Sequence, residues 1–170
     1  MSETSAMKKG TGLRILVADD NQNMREVLTR VLASEGYDVT TAESAERALD
    51  LLNTNHYPLI ISDIRMPGMN GIELLQKIRA TDSDTQVIIM TKHATLDTAI
   101  SALRAGAYDY LLKPFEDLSL ISTAVGRAVE KIRMAIENKI LVQRLKKRGA
   151  RTAQQRIKRS RHPGWINRPV

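Results

Sequence analysis

Five polar residues stand out in this chain by type and placement: Asp19, Asp20, Asp63, Thr91 and Lys113. Each ends or follows a short apolar run of strand length. Alone, each has an ordinary explanation. An Asp after a strand usually caps a helix or forms a turn. A Thr ends many strands, and a Lys before Pro is commonly a solvated turn residue. As a set, with all five at strand ends on one edge, they describe a site. Three carboxylates gathered in one place repel unless a cation sits among them. Oxygen ligands with room for water suit Mg2+, which takes few protein ligands and favours phosphate as a partner. Lys113 adds a point positive charge and Thr91 a hydroxyl. That inventory fits a dianionic group carried on, or held beside, a carboxylate.

The elements that must position these residues can be read from apolar spacing. Leu13 to Val17 is a strand-length run, and Asp19, Asp20 and Asn21 follow it. Met24, Val27, Leu28, Val31 and Leu32 then share a helix face, until Glu35-Gly36 stops the helix. Tyr37 to Thr41 is a second strand. Ser44 caps a helix with Ala45, Ala48, Leu49 and Leu52 inward. Pro58 to Ser62 leads to Asp63, and a loop dense in turn residues, 65–71, follows it. Ile72 to Ala80 is a helix, and Gln86 to Met90 is a strand ending at Thr91. A helix with Leu96, Ile100, Ala102 and Leu103 runs to Gly106. Ala107 to Leu112 is the fifth strand, before Lys113-Pro114-Phe115, and a long helix begins near Asp117. Continuous apolar strands alternating with helices imply a parallel sheet covered on both faces. With right-handed crossovers, the expected fold is α/β: a doubly wound, five-stranded, flavodoxin-like parallel sheet with an extended C-terminal helix. Ligands of such sheets bind outside the carboxyl ends of the strands.

Bulk composition narrows the classes. The chain has 170 residues, 42% hydrophobic and 26% charged, with no Cys, which excludes disulfides and thiolate metal sites. The reading expects a cytoplasmic protein with no membrane span, since no apolar run reaches about 18 residues. Charge is unevenly spread. Residues 138–170 hold 11 of the 26 Lys and Arg and none of the 19 Asp and Glu, so the first 137 residues carry 15 basic against 19 acidic groups. An acidic body carries a basic tail.

Four stretches resemble the receiver domains of bacterial response regulators, the CheY-like superfamily. They are Ile-Leu-Val-Ala-Asp-Asp-Asn (15–21), Ile-Ser-Asp-Ile-Arg-Met-Pro-Gly-Met-Asn-Gly (61–71), Thr91, and Gly-Ala-Tyr-Asp-Tyr-Leu-Leu-Lys-Pro-Phe (106–115). The second and fourth look most like receivers of the nitrogen-regulator type. The resemblance implies that Asp63 accepts a phosphoryl group from a histidine kinase. It implies that Asp20 and Asp63 bind Mg2+ directly, Asp19 through water, and Arg65 by its backbone carbonyl. Lys113 would pair with the phosphoryl oxygens and Thr91 would hydrogen-bond one of them. Tyr110 would be the switch aromatic coupled to Thr91. Lys92 is bulky where many members carry a small residue, and it would either approach the phosphoryl group or remain solvated. The competing enzyme reading, an aspartate-nucleophile phosphatase of the haloacid-dehalogenase kind, wants an Asp-x-Asp nucleophile after the first strand. Here Asp19-Asp20-Asn21 lacks that spacing. Beyond its own phosphorylation and dephosphorylation, the chain is not expected to be an enzyme.

The expected organisation is a lead-in over 1–11, a receiver over 12–130, a helix extension over 131–148, and a basic, disordered tail over 149–170 in which Ala150 to Arg161 suggests at most one short helix. Apolar residues at Leu118, Ile121, Val125, Ala128, Ile132 and Ala135 form a heptad-like seam. A homodimer built on that seam and on the switch face is expected. Nucleic acid is a weaker partner candidate, through tail charge alone. No Gly-rich phosphate loop follows the receiver, so the chain also reads as a piece of a transcriptional regulator without its output domains.

Overall fold

In the computed structural model, which describes residues 12–160, ten elements alternate strictly. They are β1 (Arg14–Ala18), α1 (Gln22–Ser34), β2 (Asp38–Ala42), α2 (Ala45–Thr54), β3 (Leu59–Asp63), α3 (Gly71–Thr81), β4 (Gln86–Thr91), α4 (Leu96–Arg104), β5 (Asp109–Leu112) and α5 (Ser119–Ser160). The five strands form one parallel sheet in the order β2-β1-β3-β4-β5. This is the doubly wound fold expected from the alternation, and strand positions agree with the apolar runs to within about two residues.

The alternation of side chains along each strand divides the apolar residues between two cores. Ile15, Val17, Leu59, Ile61, Ile88 and Met90 meet α1 and α5 on one face. Leu16, Ala18, Ile60, Val87 and Ile89 meet α2, α3 and α4 on the other. The three central strands, β1, β3 and β4, are therefore buried on both faces, which is why they read as unbroken apolar runs. Helix starts are fixed by side-chain caps. Asn21 accepts from Met24 N, Ser44 from Arg47 N, and Asn70 and Thr95 form capping boxes with Glu73 and Thr98. Of the apolar pattern that marks α4, only Ala102 is buried, while Leu96 and Leu103 face solvent.

The chain divides into two compact units between Ile132 and Arg133. In the first unit, Ile121, Val125, Ala128 and Ile132 are buried in the core shared with β1, β3 and β4. This corrects the expectation that the outer half of the seam needs a second copy as its cover: Ala128 and Ile132 are buried in the chain's own core. In the second unit, α5 continues helical through Gly149 to Ser160. The segment from 149, expected to be disordered, is thus helical over its described part. The cause is composition. Ala, Arg, Lys and Gln are strong helix formers, one Gly costs only about 1 kcal/mol, and the next Pro is Pro163. Residues 161–170, and the lead-in 1–11, lie outside the described residues. Among the described residues no helix is long and apolar enough to cross a membrane.

Candidate functional site

The chain leaves β1 outward to β2 and returns through α2 to β3 on the other side of β1. The carboxyl ends of β1 and β3 therefore flank a crevice where the direction of winding reverses. Register brings the polar residues level around it. Ala18 pairs with Ser62, Asp63 with Met90, and Thr91 with Leu112. One residue beyond Ala18 lies Asp19, and one beyond Leu112 lies Lys113. All five expected residues stand at this edge.

Asp19, Asp63, Thr91 and Lys113 are buried, while Asp20 is exposed. Oxygens of Asp19, Asp20 and Asp63 lie within 4.8 Å of one another. The Lys113 ammonium donates to Asp19 Oδ2 at 2.6 Å and stands 3.4 Å from Asp63 Oδ2. A single buried cation thus serves two buried carboxylates. Asp63 Oδ1 is buried with no hydrogen-bond partner. Desolvation pushes the Asp63 carboxyl above its ordinary value; Lys113 opposes that shift and the Asp19 carboxylate adds to it. A desolvated carboxylate with one orphaned oxygen, close to two other carboxylates, fits a hard cation with oxygen ligands, such as Mg2+.

The backbone around the carboxylates is fixed by local bonds. Asp19 Oδ1 accepts from Asn21 N at 2.9 Å, and Asp19 N donates to Ala42 O at 3.1 Å. Ile64 N donates to Met90 O, and Gly71 N to Ile64 O at 2.9 Å. This turn brings Gly71 so near β3 that a Cβ there would collide with the Asp63 carbonyl. Thr91 Oγ1 accepts from His93 N at 3.2 Å, and Lys113 N donates to Thr91 O at 2.7 Å. The Tyr110 hydroxyl, half-buried, is 2.9 Å from Thr98 Oγ1 on α4. Arg65 and Lys92 are exposed at the crevice loops.

Two positioning residues escape sequence reasoning. Glu46 Oε1, on α2, accepts from Met69 N at 2.8 Å and so ties down the loop that follows Asp63. The Arg25 guanidinium, on α1, donates to the Asp19 carbonyl at 2.7 Å. The Asn70–Glu73 capping box has a local spacing, Asn-x-x-Glu. The Glu46 contact bridges 23 positions and leaves no local pattern.

The sequence model of the response regulator receiver domain matches residues 15–125. The DNA-binding transcriptional regulator NtrC of Klebsiella pneumoniae is 44% identical over 117 residues, covering 67% of this chain and 25% of that protein. The chain spans about a quarter of the length of the first curated relatives it matches. Among solved structures, the response regulator TrrA of Thermotoga maritima in complex with Mg2+-BeF aligns with TM-score 0.62 and 36% identity, over 68% of this chain and 97% of that one. The beryllofluoride-activated NtrC4 receiver domain dimer aligns with TM-score 0.67 and 32% identity, over 70% and 98%.

Proposed function

This chain belongs to the response regulator receiver domain family of two-component systems, and from that premise we propose that it is a switch thrown by transfer of a phosphoryl group to Asp63. The observation that carries this reading is the Asp63 carboxylate itself: buried, raised in pKa by desolvation, one oxygen near Lys113 and the other without a partner.

In the proposed transfer, an Asp63 oxygen forms a bond to the phosphorus of a kinase phosphohistidine. The P–N bond breaks and the electron pair leaves with the imidazole. Such transfer depends mostly on positioning and on charge stabilisation. Lys113 would pair with the phosphoryl oxygens, and the Thr91 hydroxyl would bond one of them. Asp20 and Asp63, with the Arg65 carbonyl and Asp19 through water, would hold Mg2+. When bound, the ion supplies positive charge that offsets the carboxylates and the incoming phosphoryl group. TrrA, solved with Mg2+-BeF, supports that assignment by similarity. Hydrolysis of the acyl phosphate resets the switch, and no other turnover is proposed.

A readout follows from Thr91. Engaging a phosphoryl oxygen would draw its hydroxyl from His93 N and favour an inward position of Tyr110 over the present bond to Thr98. Phosphorylation shifts that equilibrium only by its differential interaction with the two states. We place the output in self-association, as in the NtrC4 receiver dimer. The α4–β5 face would contribute, along with the α5 segment beyond Ile132, where Met134, Leu141 and Leu145 are exposed. We place the receiver over 12–130, with a helical extension beyond it.

The test is intact mass after incubation with acetyl phosphate and Mg2+. One phosphoryl group is expected on the wild type and none on Asp63→Asn, whose amide cannot form the acyl phosphate. Equal labelling of both proteins would overturn the assignment.

A further inference from the structure

Beyond Glu137 the chain carries no acidic residue, yet from Lys139 to Arg159 α5 bears nine Lys and Arg. At about 100° per residue, Arg144, Lys147, Arg148, Arg151, Lys158 and Arg159 fall within one sector of about 120°. From Arg144 to Lys158 that stripe runs about 21 Å along the axis. Its members are exposed, and no salt bridge engages them among the described residues. Like charges three and four apart, such as Arg144–Arg148 and Lys147–Arg151, oppose the helix that holds them. A stripe of this kind is relieved by a partner of matching negative line charge.

We propose that this stripe is a sequence-independent binding site for the phosphate backbone of duplex DNA, a site that does not rest on phosphorylation of Asp63. Duplex DNA carries one negative charge per about 1.7 Å of axis, and its major groove admits a helix. An anionic membrane fits less well. A helix lying in a lipid surface needs bulky apolar residues along its opposite face. Here the face centred opposite the stripe holds Val142 and Ile157 but otherwise Lys146, Gly149, Ala150, Ala153 and Arg156. The stripe offers Arg and Lys with Gln155 between them, a set that reaches phosphates and carries no arrangement for reading bases.

The experiment is fluorescence anisotropy of the full chain with two labelled 20-base-pair duplexes of unrelated sequence, from 50 to 300 mM KCl. Both duplexes should bind alike, with a log–log salt slope of about −5. Two charge-matched variants locate the contact. Lys147→Glu/Arg151→Glu, inside the stripe, should weaken binding at least about tenfold more than Lys146→Glu/Arg156→Glu, outside it. Absence of binding at 50 mM KCl, equal loss in the two variants, or tighter binding to phosphatidylserine vesicles than to DNA would each overturn the proposal. Helicity by circular dichroism, and phosphoryl uptake by mass, are expected to be unchanged in both variants.

Discussion

Asp63 meets Lys113 through one oxygen only: Oδ2 stands 3.4 Å from Nζ, while Oδ1 is buried without a partner. The same ammonium is closer to Asp19, at 2.6 Å. Charge in this crevice is therefore incompletely compensated, and the shortfall has measurable consequences.

The first is a stability that depends on pH in a known sense. Burial holds the Asp63 pKa above the ordinary carboxylate value of 3.8. Between that value and the raised folded one, the native state binds more protons than the unfolded state. Its stability therefore falls as pH rises through the folded pKa. Asp63→Asn removes this penalty. Without Mg2+, the variant should melt higher than wild type at pH 7, with the difference shrinking as pH falls toward 4. Thermal melts at several pH values read this directly. A variant less stable than wild type at pH 7 would show that the Lys113 pairing outweighs desolvation.

Removing the cation should act in the opposite direction. Lys113→Met leaves Asp19 and Asp63 buried with no positive partner among the described residues. Breaking one side of a buried ion pair costs roughly 3–5 kcal/mol. Mg2+ should return part of that loss, so that the variant gains more stability from the ion than wild type does. Urea unfolding with and without Mg2+ measures both quantities, and an equal Mg2+ gain in the two proteins would place the ion away from these carboxylates.

Gly71 positions Asp63 by contact rather than by charge. Its missing Cβ leaves room for the Asp63 carbonyl, which otherwise collides. Gly71→Ala should lower stability by about 1–3 kcal/mol through the forced backbone shift. It should also slow phosphoryl uptake more than Gly126→Ala, where a Cβ meets nothing within 4 Å. Equal uptake in the two alanine variants would show that β3 tolerates the displacement.

Lys92 follows Thr91 and is exposed. If its ammonium approaches the phosphoryl group, Lys92→Ala should shorten the life of phospho-Asp63 by up to roughly fivefold, the scale of an exposed ion pair. Timed loss of the phosphoryl mass gives the half-life. An unchanged or longer one returns Lys92 to the solvent.

Legibility in the sequence followed locality. β1, β3 and β4 were readable because they are buried on both faces, and the five site residues because they close consecutive strands. Glu46 was not readable because it reaches across the fold to a loop 23 positions away, and Arg25 because its bond goes to the Asp19 backbone carbonyl, which demands no particular side chain at either position. The α5 seam is legible, but what covers its outer half is not. A heptad spacing records that a face is covered, not by what, and the sheet covers Ile121 to Ile132. The stretch 150–160 is legible as at most one short helix, because its charge and its lack of apolar spacing give no sign that it continues α5.

The cover of the α5 seam decides how self-association must be tested. Ile132 is buried in the receiver core. Ile132→Asp would put an unpaired charge there and should unfold the domain, at a cost above about 3 kcal/mol, so lost association in that variant says nothing about α5. Met134, Asn138, Leu141 and Leu145 lie four, three and four apart beyond it, which is the spacing of a two-stranded seam with one polar register position. Leu141→Asp/Leu145→Asp charges that seam while leaving every buried residue intact. Repulsion between the basic segments opposes pairing and is screened by salt, so dimerisation should strengthen with ionic strength as well as with phosphorylation. Sedimentation velocity of both proteins, at 50 and 300 mM KCl, with and without beryllofluoride and Mg2+, separates these influences. Wild type should shift to dimer most strongly with the phosphoryl mimic at high salt, and the double variant should remain monomeric with an unchanged receiver melting temperature. A double variant that dimerises as tightly as wild type would remove the α5 extension from the mechanism and leave the α4–β5 face as the place of contact.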